Sequence, residues 1–101
     1  VPDVVSLAEA QESARLTGLA MIAALRTELG DLDRVEAWLT ISGYVNAAEG
    51  YPQTTAVINP VSELVLEIFG DAGRHARTAI GVSALPLNLP VIVAAELTLK
   101  S

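Results

Sequence analysis

The sequence predicts an α+β or α/β fold, a two-layer sandwich of two helices and a small β-sheet. Three observations carry that prediction. A capping box opens a long stretch of helical periodicity near the N-terminus. A strictly alternating stretch follows it. An Asn-Pro pair then starts a second helical stretch, which leads into two further strand-like segments. The order is helix, strand, helix, strand, strand, within one domain covering residues 1–101.

Ser6-Leu7-Ala8-Glu9 has the S-x-x-E spacing in which a hydroxyl and a carboxylate each satisfy the other residue's free amide. The first helix is expected from there to about Leu29, stopped by Gly30. Ala14, Gly18, Met21 or Ile22, Leu25 and Leu29 form its apolar stripe. The small residues Ala14, Gly18 and Ala24 would allow close approach to a flat partner, so a sheet is expected beneath them. Asp31-Leu32-Asp33 reads as a turn. From Arg34 to Val45 the pattern alternates, with Val35, Ala37, Leu39 and Ile41 on one face. The other face takes Glu36, Trp38, Thr40, Ser42 and Tyr44. Trp38 on the mixed face suggests contact with a partner subunit, because amphipathic aromatics are enriched at interfaces.

Asn46 to Gln53 is loop. Asn59-Pro60 reads as a helix cap followed by proline at the first position, where the missing amide costs nothing. The second helix carries Val61, Leu64, Val65 and Ile68 on one stripe and stops at Gly70. Asp71 to Ala76 is a polar loop, Thr78 to Ala84 a strand, Leu85 to Pro90 a connection and Val91 to Leu99 the last strand.

Composition narrows the function classes. The chain is 51% hydrophobic but only 4% aromatic. A chain of 101 residues buries a modest share of its surface alone, so surplus aliphatic residues point to an oligomer interface. The most apolar helical stretch, Leu16 to Leu25, falls well short of the ~20 residues a membrane span needs. There are no cysteines, which excludes disulfides and thiolate chemistry. No leader is visible at Val1-Pro2-Asp3, so the cytoplasm is the expected compartment. A net charge of −6 argues against nucleic acid as partner.

The segment His75-Ala76-Arg77-Thr78-Ala79-Ile80-Gly81-Val82, followed by Leu85-Pro86, resembles the hallmark of the RidA/YjgF/UK114-like family. Gly30 to Val35 is similar to that family's helix-to-strand turn. Asn59 to Gly70 with Gly73-Arg74-His75-Ala76-Arg77 resembles the branch carrying the GRHAR motif. The resemblance implies an α+β, chorismate-mutase-like sandwich, a sheet with two helices on one face, that assembles as a homotrimer with a small-molecule cleft between subunits. Family members open with further strands that have no counterpart in Val1 to Val5, so the domain is expected to be N-terminally incomplete relative to them.

The same resemblance implies ligand binding by Arg77, with Ala79 beside it on the strand, and a small carboxylate as the ligand. A guanidinium can grip a carboxylate with two parallel bonds. Arg74 and His75 are weaker candidates; His75, the only histidine, reads more simply as a loop residue. In the deaminase branch a glutamate on the last strand positions the attacking water, and that position is Ile92 here. Glu96 shares its parity but lies about 13 Å further along the strand. Asp31 and Asp33 are explained by turn chemistry, and no metal or cofactor is implied. No nucleophile–base pair can be read from a single histidine and scattered serines. Three functions follow as expectations: hydrolysis of imine or enamine metabolites, non-catalytic carboxylate binding on the same fold, or a scaffold trimer whose cleft is vestigial. The endoribonuclease label attached to the family fits the acidic charge poorly.

Overall fold

The computed structural model describes residues 1–101. Helix α1 spans Leu7–Leu29, strand β1 Val35–Asn46, helix α2 Thr54–Phe69, strand β2 Ala76–Val82 and strand β3 Val91–Leu99. The strands form one sheet in the order β2-β1-β3. β1 and β2 run parallel, joined by the crossover through α2, and β3 returns antiparallel on the other side of β1. Each outer strand therefore has one ladder edge that pairs with nothing in this chain. Both helices lie on one face, so the architecture is the expected α+β sandwich. No helix is long and apolar enough to cross a membrane.

α1 begins and ends as its sequence dictates. The Ser6 hydroxyl accepts the Glu9 amide at 3.1 Å, and the Glu9 carboxylate accepts the Ser6 amide at 3.2 Å. Gly30 closes the helix at φ 79°, donating to the Arg26 carbonyl. The expected partner of its small residues needs correction. Gly18 faces α2, where an added Cβ would lie 3.3 Å from Leu64 and 3.6 Å from Val61. The missing side chain sets the approach of helix to helix, not of helix to sheet.

β1 also departs from simple alternation. Its register against β3 slips between Val35 and Ala37 and again between Trp38 and Thr40. Each irregularity turns the following residues to the opposite face. Trp38 consequently lies in the core, 2% exposed, with its ring 5.3 Å from that of Phe69, while Leu39 is 47% exposed. Trp38 is thus a core residue and does not reach out to a partner. From Ile41 onward the alternation is regular: Ile41, Gly43 and Val45 point to the helices, and Ser42 and Tyr44 point away. Gly43 lets α2 approach closely, since a Cβ there would collide with the Ile58 side chain.

α2 starts at Thr54, five residues before the expected cap at Asn59, so Pro60 lies inside the helix. Proline removes the amide that would bond the carbonyl four residues earlier, which is that of Ala56. The Gln11 side chain of α1 donates to that carbonyl at 3.0 Å, so no backbone acceptor is orphaned and the helix runs through the proline. The Thr54 hydroxyl ties the start of α2 to the Ala79 carbonyl of β2 at 3.1 Å. β2 itself begins two residues earlier than expected, at Ala76.

The candidate anion site on the edge strand

Arg77 enters β2 opposite Ile41, so its side chain leaves the sheet on the face that α2 covers. β2 is an edge strand, and the guanidinium reaches α2 near its middle. There Asn59 and Ser62 stand three residues apart on one side of the helix. Arg77 Nη1 donates to Asn59 Oδ1 at 2.8 Å and to Ser62 Oγ at 3.3 Å. Both partners are neutral. The chain's two ion pairs, Arg15–Glu12 and Arg74–Asp71, lie elsewhere, so Arg77 is a partly buried cation with no carboxylate partner. Its two Nη1 bonds fix the plane of the group. Nε and Nη2, which project in parallel from its other side, make no bond within the chain. That pair has the spacing of a carboxylate's two oxygens.

His75, two residues upstream, packs against the same helix face. Its Nδ1 lies 2.5 Å from the Gly73 carbonyl and its Nε2 lies 3.0 Å from Ser62 Oγ. Gly73 is buried because the turn presses on α2; a Cβ there would sit 2.7 Å from the Val65 carbonyl oxygen. The glycine thus places the carbonyl that holds the histidine. Asn59, Ser62, His75 and Arg77 form one continuous hydrogen-bonded group across the α2–β2 junction.

The other expected site residues fall around this group or away from it. Ala79 is on the same strand face, opposite Gly43, and its carbonyl is occupied by Thr54. Arg74 is exposed, 3.6 Å from Asp71, and turns away from the group. Ile92 pairs with Tyr44 and Glu96 with Thr40, so both side chains project from the open face of the sheet, opposite the one that holds Arg77. Asp31 and Asp33 belong to the turn after α1, where Asp31 Oδ1 accepts the Asp33 amide at 2.9 Å. The larger surface hollows also lie elsewhere. One of about 470 Å³ lies at the ends of β1 and β2, beside Glu49, Tyr51 and Gly81. Another of about 540 Å³ runs along α1 beside Arg26 and Leu32. Arg77, on the edge strand, lines neither hollow.

Asn59 and Ser62 were not foreseen as site residues. Asn59 followed by Pro60 imitates a helix cap, and that reading hid its second use. The available signal was their spacing of three within a helical stretch, the separation at which two polar groups reach one partner.

The chain resembles known proteins along nearly all of its length. Residues 3–97 match the family described as "YjgF/chorismate mutase-like, putative endoribonuclease". Protein TCP17 of Trypanosoma cruzi is 36% identical over 97 residues, which make up 95% of this chain and 61% of that protein. The crystal structure of Atu1372 from Agrobacterium tumefaciens, a protein of unknown function, matches with a TM-score of 0.95 at 31% identity, over 100% of this chain and 65% of that one. The crystal structure of a protein described as a "putative endoribonuclease" from Shewanella oneidensis matches with a TM-score of 0.85 at 30% identity, over 91% of this chain and 61% of that one. The chain therefore spans between 61% and 65% of the length of these relatives. By the match over residues 3–97, and by a fold shared at 30% identity and above, the chain belongs to the YjgF/chorismate mutase-like family.

Proposed function

We propose that this chain is a RidA-like binder of small carboxylates, with Arg77 gripping the carboxylate in a cleft walled by a second copy in a homotrimer. The observation that supports the reading most is the open Nε/Nη2 fork of Arg77, a half-buried cation steadied by two neutral groups and paired with no acid. A guanidinium held in plane by Asn59 loses little freedom when a carboxylate docks, which favours binding. The fork opens at an edge strand and not in a pocket of the single chain, so a second copy would supply the missing wall. A cytoplasmic setting suits a chain without cysteines.

Within this reading, catalysis would be the hydrolysis of an imine or enamine next to the bound carboxylate: water adds to the C=N carbon and ammonia leaves. Ile92 offers that water no base, and Glu96 projects from the other face of the sheet. Binding is therefore the function the geometry favours. RNA cleavage is disfavoured by the net charge of −6.

The test is a thermal-shift series with short 2-oxo acids and their uncharged amides, wild type beside Arg77→Ala. Stabilisation by the acids alone, lost in Arg77→Ala, is expected. Equal shifts in both proteins would rule out Arg77 as the anchor. A parallel assay with 2-iminopropionate separates the two functions: turnover abolished by Arg77→Ala would restore the hydrolase, and its absence leaves a binder.

A further inference from the structure

Ser62 is bonded unlike the other hydroxyls inside the helices. Thr17 and Thr27 donate to the carbonyl four residues earlier, Ser13 and Ala23, which is the ordinary choice for a hydroxyl in mid-helix. Ser62 Oγ instead lies 3.0 Å from His75 Nε2. The histidine's tautomer follows from its other bond. The Gly73 carbonyl can only accept, so Nδ1 carries the proton and Nε2 presents its lone pair to Ser62. The Ser62 proton therefore points at a base, and Oγ accepts from Arg77 Nη1 at 3.3 Å. A hydroxyl, an imidazole to take its proton, a third group holding the imidazole and a cation beside the oxygen are the parts of an activated serine. Here the third group is a backbone carbonyl.

The geometry points to Ser62 as a nucleophile with His75 as its general base, acting on short esters that carry a carboxylate, such as monoesters of dicarboxylic acids. The carboxylate in that substrate class rests on the Arg77 reading; the nucleophile does not. Ser62 Oγ bonds to the ester carbon, its proton passes to His75 Nε2, and the carbonyl π pair moves onto oxygen beside the guanidinium. When the tetrahedral adduct collapses, the C–O bond to the alcohol breaks and the His75 proton leaves with the alkoxide. Water, deprotonated by the same nitrogen, then attacks the acyl-serine. The acid departs and the proton returns to Ser62 Oγ. Gly73 is a positioning residue, acting only through the histidine.

A neutral alkyl fluorophosphonate tests the nucleophile without calling on the carboxylate site. Wild type should be labelled at Ser62, located by peptide mass spectrometry. Ser62→Ala should not react, and His75→Gln should react about 10²- to 10⁴-fold more slowly. Labelling absent, on another residue, or unchanged in His75→Gln would overturn the assignment. Ser62→Cys guards against a folding failure, because its thiol is the only one in the chain. Iodoacetamide should alkylate it at least tenfold faster at neutral pH than it alkylates Ser62→Cys combined with His75→Gln. Equal rates would overturn the role of His75. If Ser62 is labelled while the Arg77→Ala thermal shifts show no carboxylate dependence, the nucleophile stands and the substrate class falls. Carboxylate binding without labelling would keep the Arg77 site and remove the nucleophile.

Discussion

At the residue scale, the proposed carboxylate binding turns on what holds Arg77. Asn59 holds the guanidinium through Nη1, while Nε and Nη2 make no bond within the chain. Arg77→Lys keeps the charge but not the fork, and should weaken carboxylate binding at least tenfold, the equivalent of about 1.5 kcal/mol for one charge-assisted bond. Asn59→Ala leaves the fork intact but free to swing, so a smaller loss of a few-fold is expected. Calorimetric titration of both variants checks this order, and an Asn59→Ala loss as large as that of Arg77→Lys would contradict it. Arg77 could be singled out as a candidate because its neighbours carry a family resemblance. Its partners were not, because they lie fifteen and eighteen residues upstream on another element. Only the crossover through α2 brings them together. Trp38 shows the opposite error. Its position in the alternation put it on the outer face, yet it is buried against Phe69, with Nε1 lacking a hydrogen-bond partner. Trp38→Ala should cost about 3–5 kcal/mol in denaturant unfolding, and an interface tryptophan would leave the stability of the free chain almost unchanged.

At the scale of elements, boundaries set by local chemistry were readable and those set by tertiary contacts were not. α1 runs from its capping box to its glycine as expected, because each end is made by residues within four positions of it. α2 extends through Pro60 because Gln11, on another helix, satisfies the carbonyl the proline leaves free. The irregularities in β1 have no signature in a stretch that alternates on paper. Gly43→Ala places a methyl group against the Ile58 side chain of α2, and should destabilise the chain by about 1–3 kcal/mol. The capping box makes a pH prediction. The Glu9 carboxyl is held below its ordinary range, first by the Ser6 backbone amide and then by the Ser6 hydroxyl. A lowered folded-state pKa gives a stabilising contribution that is complete above the ordinary glutamate range and lost as pH falls through the folded value. The difference in melting temperature between wild type and Glu9→Gln should therefore shrink on acidification from neutral pH. A constant difference would mean that the carboxylate contributes nothing through its charge.

The whole molecule leaves much of its surface uncovered. Only 15 of 101 residues are buried, and the accessible surface of 5943 Å² exceeds the roughly 5,500 Å² expected of a monomer of this mass. The long axis of 44 Å against 22 and 19 Å accounts for part of the excess. The open sheet face adds to it. Tyr44 and Ser42 stand there between Ile80 and Thr78 on one side and Ile92 and Ala94 on the other, a row of apolar and small polar groups with no layer above it. The open face is in keeping with the composition, whose many aliphatic residues exceed what one small core encloses. Sedimentation equilibrium is expected to give three times the 10.6 kDa chain mass, and Tyr44→Asp in the centre of the open face should shift the population towards monomer. A monomer in wild type would remove the wall that the Arg77 site is proposed to gain from a second copy. The most direct measurement follows the Arg77 side-chain Nε–Hε resonance in ¹⁵N-labelled protein during titration with a short 2-oxo acid, assigned by its absence in Arg77→Lys. A saturable downfield shift of Hε with the acid, and none with the corresponding amide, is the predicted result. An unmoved Arg77 resonance, or equal shifts at the exposed Arg74, would contradict carboxylate capture by Arg77.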